Sequence, residues 1–284
     1  PGILFPSAER WLSSPLSNHS VNSILILSGG ILLLRINNLF SLIQKHTLLP
    51  FLFFLLLEVC SPSLSLLCNG NIMAVVLTTI LFSFFSAYQK DRAQPAFLMM
   101  GIISLCTLFC PEFAYYIPLF IIGFAQIRYF TLKSLLGAFI GFATPFWILI
   151  GIGIMPFSGL SALIPDFTFH IPETLPFNDP QFWTIVLTAL LGLFSGTATL
   201  YTTFNEKRQT RAYNGFINLL SVYSAILLII DYRNYTLYLP VLNMAVAMQA
   251  AFFFTNNTKK YGVVLFYLIL TLYTGLFVWN LLPV

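Results

Sequence analysis

Few side chains of this 284-residue chain are of a type and in a position to do chemistry. Glu58 is the clearest candidate, because it follows the apolar run FLFFLLL, where an ionisable side chain is costly and is by default a functional candidate. The alternative is a structural carboxyl at the end of an apolar helix, protonated or paired with a neighbouring helix. Glu112 follows Pro111 at a turn between two apolar runs, where a carboxylate can simply stabilise a helix dipole. We keep Glu112 as a second candidate and favour a structural role for it.

The longest predicted extracytoplasmic loop, residues 158–181, holds a third set of candidates: Asp166, His170 and Glu173. A metal site needs three or four converging ligands, and no ligand motif of known spacing is present. We therefore predict no metal and no cofactor, and interpret these residues as solvated negative charge. The sequence also lacks the P-loop, the H-E-x-x-H and the G-x-S-x-G motifs, so the common nucleotidases and hydrolases have no support.

Small residues and cysteines offer structural rather than chemical interpretations. Cys60 and Cys68 bracket a predicted outer loop, so a disulfide is geometrically open to them, but we favour buried free thiols. GxxxG spacing lets two helices approach closely. It occurs at two pairs of positions, Gly137 with Gly141 and Gly192 with Gly196.

The composition decides which elements position these residues. Hydrophobic residues make up 58% of the chain and charged residues 8%, whereas a soluble domain carries about 25% charged residues. Lipid must therefore be the solvent, and the lipid bilayer is the expected partner. The net charge of +4 is scattered through short loops, whereas nucleic-acid binding would need it on one folded face. We expect no nucleic-acid partner.

The apolar residues fall into ten runs that predict transmembrane helices, because backbone in hydrocarbon must satisfy its own hydrogen bonds. The predicted fold is an all-α polytopic helix bundle that forms a single membrane domain over residues 1–284. The ten runs lie near residues 22–34, 47–60, 71–88, 96–110, 113–127, 135–157, 182–204, 212–230, 235–254 and 261–282.

Basic residues alternate between the predicted loops, as they do when cytoplasmic loops collect Lys and Arg. One set of loops contains only two basic residues, Arg10 and Arg233. This pattern predicts that both termini lie on the outer side of the membrane. The first run is short and contains a Gly pair, so a nine-span alternative with the N-terminus inside stays open. The other set contains the remaining basic residues: Arg35, Lys45, Lys90, Arg92, Arg128, Lys133, Lys207, Arg208, Arg211, Lys259 and Lys260.

Five segments together resemble an uncharacterised family of polytopic inner-membrane proteins from Bacteroidota. These are RINNLF, FSAYQKDRAQPAFLMMGIISL, CPEFAYYIPLF, FTLKSLLGAFIGFATPFWIL and KRQTRAYNGFI. The resemblance covers about residues 31–220 and implies a location in the cytoplasmic membrane of a Gram-negative cell. It implies no catalytic residues, because the family has no assigned activity.

Three functions are compatible with these features. The first is a non-enzymatic envelope component or assembly partner for another membrane protein, since reactive constellations are lacking. The second is a transporter or flippase of a lipid-linked or small solute, which needs a polar path. Glu58, Asn218, Asn243 and Gln249 could contribute to such a path if they face inward, and their clustering would favour this function. The third is a membrane glycosyltransferase or polymerase acting on lipid-linked sugars, which the shortage of outer cations disfavours. The sequence favours the first and makes an enzyme the less favoured alternative.

Overall fold

The described part of the chain is mostly α-helical. The computed structural model describes residues 8, 11, 14–157, 176–204, 206–257 and 259–281, and over these ranges it contains no β-strand. The α-helices of the described ranges are α1 (Pro15–Phe40), α2 (Leu49–Val59), α3 (Asn69–Ser86), α4 (Gln94–Thr107), α5 (Ile117–Gln126), α6 (Leu132–Gly151), α7 (Pro180–Thr203), α8 (Arg208–Ile230), α9 (Tyr235–Asn256) and α10 (Lys260–Leu281). Each of the ten apolar runs overlaps one of these helices.

Seven helices of the described residues are long and apolar enough to cross a bilayer: α1, α3, α6, α7, α8, α9 and α10. The other three are shorter, with 11 residues in α2, 14 in α4 and 10 in α5. At about 1.5 Å per residue they reach roughly 17, 21 and 15 Å, against a hydrocarbon core of ~30 Å. The all-α multi-pass architecture is therefore as expected, but the count of ten spans is not confirmed.

The first helix is longer than its apolar run indicated. α1 has 26 residues, about 39 Å of helix, and ends where Ser41 adopts a left-handed conformation with φ 50°. The Gly pair lies inside it, and a Cβ on Gly30 would come within 2.5 Å of the Phe51 ring of α2. These glycines therefore allow close packing instead of ending the helix. The premise of the nine-span alternative, a first run too short to cross, does not hold.

The helices group into two compact units, which meet in sequence within α3. The small unit comprises residues 1–13 and 79–168, and the large unit comprises residues 14–78 and 169–284. The small unit thus contains α4, α5 and α6. The large unit contains α1, α2, α7, α8, α9 and α10.

α9 is the central helix of the large unit. It packs against α2, α7 and α8, while α1 packs on α2 and α10 packs on α7 and α2. In its most apolar stretch 94% of the residues are buried, compared with 17% in α10. Small side chains such as Ala245, Ala247 and Ala250 give neighbouring helices room to approach it. Polar residues placed on α9 are consequently shielded from lipid.

Two basic loops of the small unit, one between α3 and α4 and the other between α5 and α6, are bonded to each other. The backbone N–H of Gln89 donates to the carbonyl of Ile127 over 3.3 Å. Lys133 forms a 2.6 Å ion pair with Asp91. The two loops, both predicted to be cytoplasmic, therefore lie at one end of the small unit. α4 leaves this end and α5 returns to it, which agrees with their alternation in the predicted topology.

Candidate functional site

Glu58 is the penultimate residue of α2, and its side chain is buried inside the large unit. Its exposed fraction is 2%, and the side chain of Asn243 on α9 donates a hydrogen bond to its Oε1 over 3.2 Å. α2 ends here because the segment that follows contains Pro62 and forms a 3₁₀ turn, Pro62–Leu64. The contact joins the most unusual residue of the sequence to the central helix.

The Glu58–Asn243 pair is only half satisfied. Oε2 of Glu58 and Oδ1 of Asn243 are both buried and have no hydrogen-bond partner among the described residues. No cationic nitrogen of the described residues lies within 4.0 Å of the Glu58 carboxyl. A charged carboxylate buried without a cation costs several kcal/mol. A protonated carboxyl instead presents an O–H, the donor that an unpaired amide oxygen such as Oδ1 of Asn243 requires.

Further polar contacts surround the end of α2. The thiol of Cys60 donates to the carbonyl of Tyr273 over 3.5 Å, and the Tyr273 hydroxyl lies 3.0 Å from Oγ1 of Thr188. The amide of Asn280 donates to Thr184 over 3.1 Å and to the carbonyl of Cys60 over 3.4 Å. These contacts bring together the C-terminal ends of α2 and α10 with the N-terminal end of α7. All three ends were predicted to lie on one side of the membrane.

Three buried asparagines that the sequence analysis did not single out hold the segment after Glu58. The amide of Asn22 on α1 donates to the carbonyls of Leu64 and Ser65 over 2.7 and 3.0 Å. Asn71 on α3 donates to Oδ1 of Asn22 over 2.7 Å, and Oδ1 of Asn18 accepts the N–H of Leu67 over 2.6 Å. The only available signal was the spacing of Asn18 and Asn22, which places both on one face of a helix.

The four polar residues that could contribute to a polar path form two pairs instead of one cluster. Asn243 pairs with Glu58, and six residues further along α9 the amide of Gln249 donates to Oδ1 of Asn218 over 3.1 Å. Oε1 of Gln249 is buried and has no hydrogen-bond partner among the described residues. Both pairs share the central helix, about 9 Å apart along its axis.

The glycine pairs lie at close helix contacts. A Cβ on Gly192 of α7 would come within 2.7 Å of Val246 on α9, and one on Gly196 would overlap Asn218. In the small unit, a Cβ on Gly137 of α6 would come within 2.6 Å of the Ala93 carbonyl, and one on Gly141 would overlap the backbone of Phe97. Gly192 and Gly196 therefore let α7 pack against the Gln249–Asn218 hydrogen bond. The glycines of α6 let that helix pack against α4.

Of the four remaining predicted candidates, the structure describes only Glu112. Glu112 stands in the first turn of a 3₁₀ helix, Pro111–Tyr116, and accepts a hydrogen bond from the Cys110 thiol over 2.9 Å. This contact is local and lies in the small unit. Asp166, His170 and Glu173 lie outside the described residues, as does most of the loop 158–181.

One further carboxyl, Glu206 in the turn between α7 and α8, escaped the sequence analysis. Its Oε2 is buried and has no hydrogen-bond partner among the described residues, and burial raises the pKa of Glu206 above its ordinary value. The available signal was an acid followed by the basic run KRQTR. All four cysteines are free thiols, which agrees with the interpretation of Cys60 and Cys68. Among the described residues, no three His, Cys, Asp or Glu side chains gather as metal ligands would.

The long apolar helices and the buried polar pairs define a class: the protein is a multi-pass α-helical membrane protein. No protein-family model matches the chain, and no match is found among curated proteins or solved structures. The class therefore rests on the chain's own helices, and a more specific function must be argued from the Glu58 site.

Proposed function

We propose that the protein is a transporter or flippase of the bacterial cytoplasmic membrane whose working cycle includes protonation of Glu58. One observation carries the proposal: a buried carboxyl without a cation meets a half-satisfied amide on the central helix of the large unit. Such groups inside membrane helices mark ion and proton pathways. A non-enzymatic envelope component, which the sequence alone favoured, has no need of an uncompensated carboxyl in its core.

Loss of the Glu58 proton would shift the large unit from one arrangement of its helices to another. The carboxylate would retain one donor, Asn243, in a buried setting where an unpaired charge costs several kcal/mol. Displacement of α2 from α9, or entry of a cation, would relieve that cost. Proton occupancy is then coupled to helix movement, which is what a transport cycle requires.

The location in the cytoplasmic membrane is part of the same proposal. It is supported by the alternation of basic loops and by the resemblance to inner-membrane proteins of Bacteroidota. Within the small unit, the contact between Gln89 and Ile127 agrees with the alternation by joining two basic loops. Both termini would then be periplasmic.

A proton-flux assay tests the function. The purified chain is reconstituted into liposomes that contain a pH-sensitive dye, and pools of sugars, amino acids, organic acids and metal cations are added outside. We expect at least one pool to drive proton movement in the wild type and none in Glu58→Gln, while Glu112→Gln, the matched control, behaves as the wild type. Absence of flux for every pool, or equal flux in Glu58→Gln, would refute the proposal.

A further inference from the structure

An apolar groove runs between α2 and α10 on the surface of the large unit. Its volume is about 400 Å³, and its walls include Leu49, Leu52 and Leu56 of α2 and Phe266 and Leu270 of α10. Along α2 the lining extends from Leu49 to Val59, about 15 Å. This length equals the depth of one leaflet, half of a ~30 Å hydrocarbon core.

Three aromatic rings fix the shape of the groove. The ring of Phe53 stacks on that of Phe254 with centroids 5.5 Å apart and meets Phe266 edge-on at 5.8 Å. Phe254 and Phe266 also contact each other at 5.4 Å. The rings come from α2, α9 and α10, so the spacing of these helices is set by packing. The groove is accordingly preformed.

Positive charge gathers at the Leu49 end of the groove. Lys45 precedes α2, and its Nζ donates to the carbonyl of Thr255 near the end of α9, over 3.4 Å. Lys259 and Lys260 follow in the turn that begins α10, and both are exposed. The segments 42–48 and 255–262 contain no Asp or Glu. The N-terminal ends of α2 and α10 add their positive dipole ends at the same place.

We propose that this groove binds one acyl chain of an anionic phospholipid, whose phosphate lies on Lys45, Lys259 and Lys260. The walls match the hydrocarbon chain, and the lysines select an anionic head group over a zwitterionic one. A lysine near a membrane surface favours an anionic lipid about fivefold. This site is independent of Glu58, which does not line the groove.

A second groove in the small unit provides the control. It lies between α4 and α6, has a volume of about 370 Å³, and is lined by Phe97, Leu105 and other apolar residues. On α6 its lining begins at Gly141, nine residues or about 14 Å beyond the helix start. Its nearby Lys133 is already paired with Asp91. This groove provides the site for a matched substitution.

Native mass spectrometry of the purified chain in detergent measures the selectivity. The probes are phosphatidylglycerol and phosphatidylcholine with identical acyl chains. We expect the wild type to retain phosphatidylglycerol preferentially and Lys259→Gln/Lys260→Gln to lose roughly 25-fold of that preference. The matched variant Lys207→Gln/Arg208→Gln should keep it. Equal losses in the two double variants would overturn the proposal, because they would indicate unspecific attraction to the basic loops.

Filling each groove tests the chain-binding part. Leu52 and Leu105 are 53% and 49% exposed and line the first and second groove. Leu52→Trp should lower retention of the selected phosphatidylglycerol at least fivefold, whereas Leu105→Trp should leave it unchanged. Size-exclusion profiles confirm that both variants remain folded. Undiminished selective retention in folded Leu52→Trp would show that the lipid binds elsewhere and overturn the site.

Discussion

The hydroxyl of Tyr129 accepts a hydrogen bond from the backbone N–H of Ala96 over 3.1 Å. Ala96 lies in the first turn of α4, where backbone N–H groups have no partner inside the helix. The same hydroxyl donates to the carbonyl of Arg92. One tyrosine from the loop between α5 and α6 thus caps α4 and fastens the two basic loops of the small unit.

Tyr129→Phe should destabilise this end of the small unit by about 1 to 2 kcal/mol, because the buried N–H of Ala96 and the partly buried carbonyl of Arg92 lose their partner. The measurement is thermal unfolding in detergent together with the rate of trypsin cleavage after Lys90 and Arg92, which should rise. Tyr201→Phe, at a tyrosine 86% exposed on α7, serves as control. An unchanged cleavage rate in Tyr129→Phe would show that the cap contributes nothing.

The same contact predicts a dependence on alkaline pH. Burial raises the pKa of Tyr129 above its ordinary value of 10.0, and hydrogen bonding from Ala96 only partly offsets this effect. The unfolded chain releases this proton first, so the stabilisation is complete below pH ~10 and is lost as the pH rises through the folded pKa. The difference in melting temperature between wild type and Tyr129→Phe should be constant up to about pH 10 and shrink above it. A constant difference would contradict this assignment.

Gly137→Ala should weaken the packing of α6 on α4. The new Cβ would come within 2.6 Å of the Ala93 carbonyl, and backbone cannot swing aside as a side chain can. We expect a loss of about 1 to 3 kcal/mol. Gly151→Ala on the same helix is the control, since a Cβ there meets nothing within 4 Å. The measurement is thermal unfolding of the two variants. Equal melting temperatures would contradict the role of Gly137 in packing.

The predicted topology is tested by accessibility of single cysteines introduced into a cysteine-free background. Replacements of Lys90 and Lys207 should react only from the cytoplasmic side. Replacements of Arg10, Glu173 and Val284 should react only from the periplasmic side. If Lys90 and Lys207 label from opposite sides, the alternation of the loops is wrong and the proposed orientation fails with it.

The sequence predicted the helices better than their arrangement. Each apolar run corresponds to a helix, because a continuous helix is the simplest way for a chain in hydrocarbon to satisfy its backbone groups. Burial was not predictable from hydropathy, because the exposed α10 is more apolar than the central α9. Lipid is as apolar as a protein core, so hydropathy does not distinguish a lipid-facing side chain from a buried one.

The candidate site was predictable only in part. Glu58 stood out because a carboxyl is costly in an apolar helix, and the sequence named Asn243 among its companions. The sequence did not predict that Glu58 and its three companions divide into two pairs, since this depends on how α2, α7 and α8 surround α9. Asn18 and Asn22 were missed because they bind backbone N–H and carbonyl groups, which no side-chain pattern reveals. Asn71 was missed because its side-chain partner, Asn22, is 49 residues away in the sequence.

The asparagine contacts around the turn after α2 have a consequence for solvent exchange. The N–H of Leu67 lies outside any helix, yet it donates to the buried side chain of Asn18, and Leu67 itself is buried. In deuterated buffer this amide should keep its proton for as long as those of the helix interiors, whereas ordinary turn amides exchange early. A turn enclosed in this way lets α2 stop short beside Glu58 without admitting water to the helix ends.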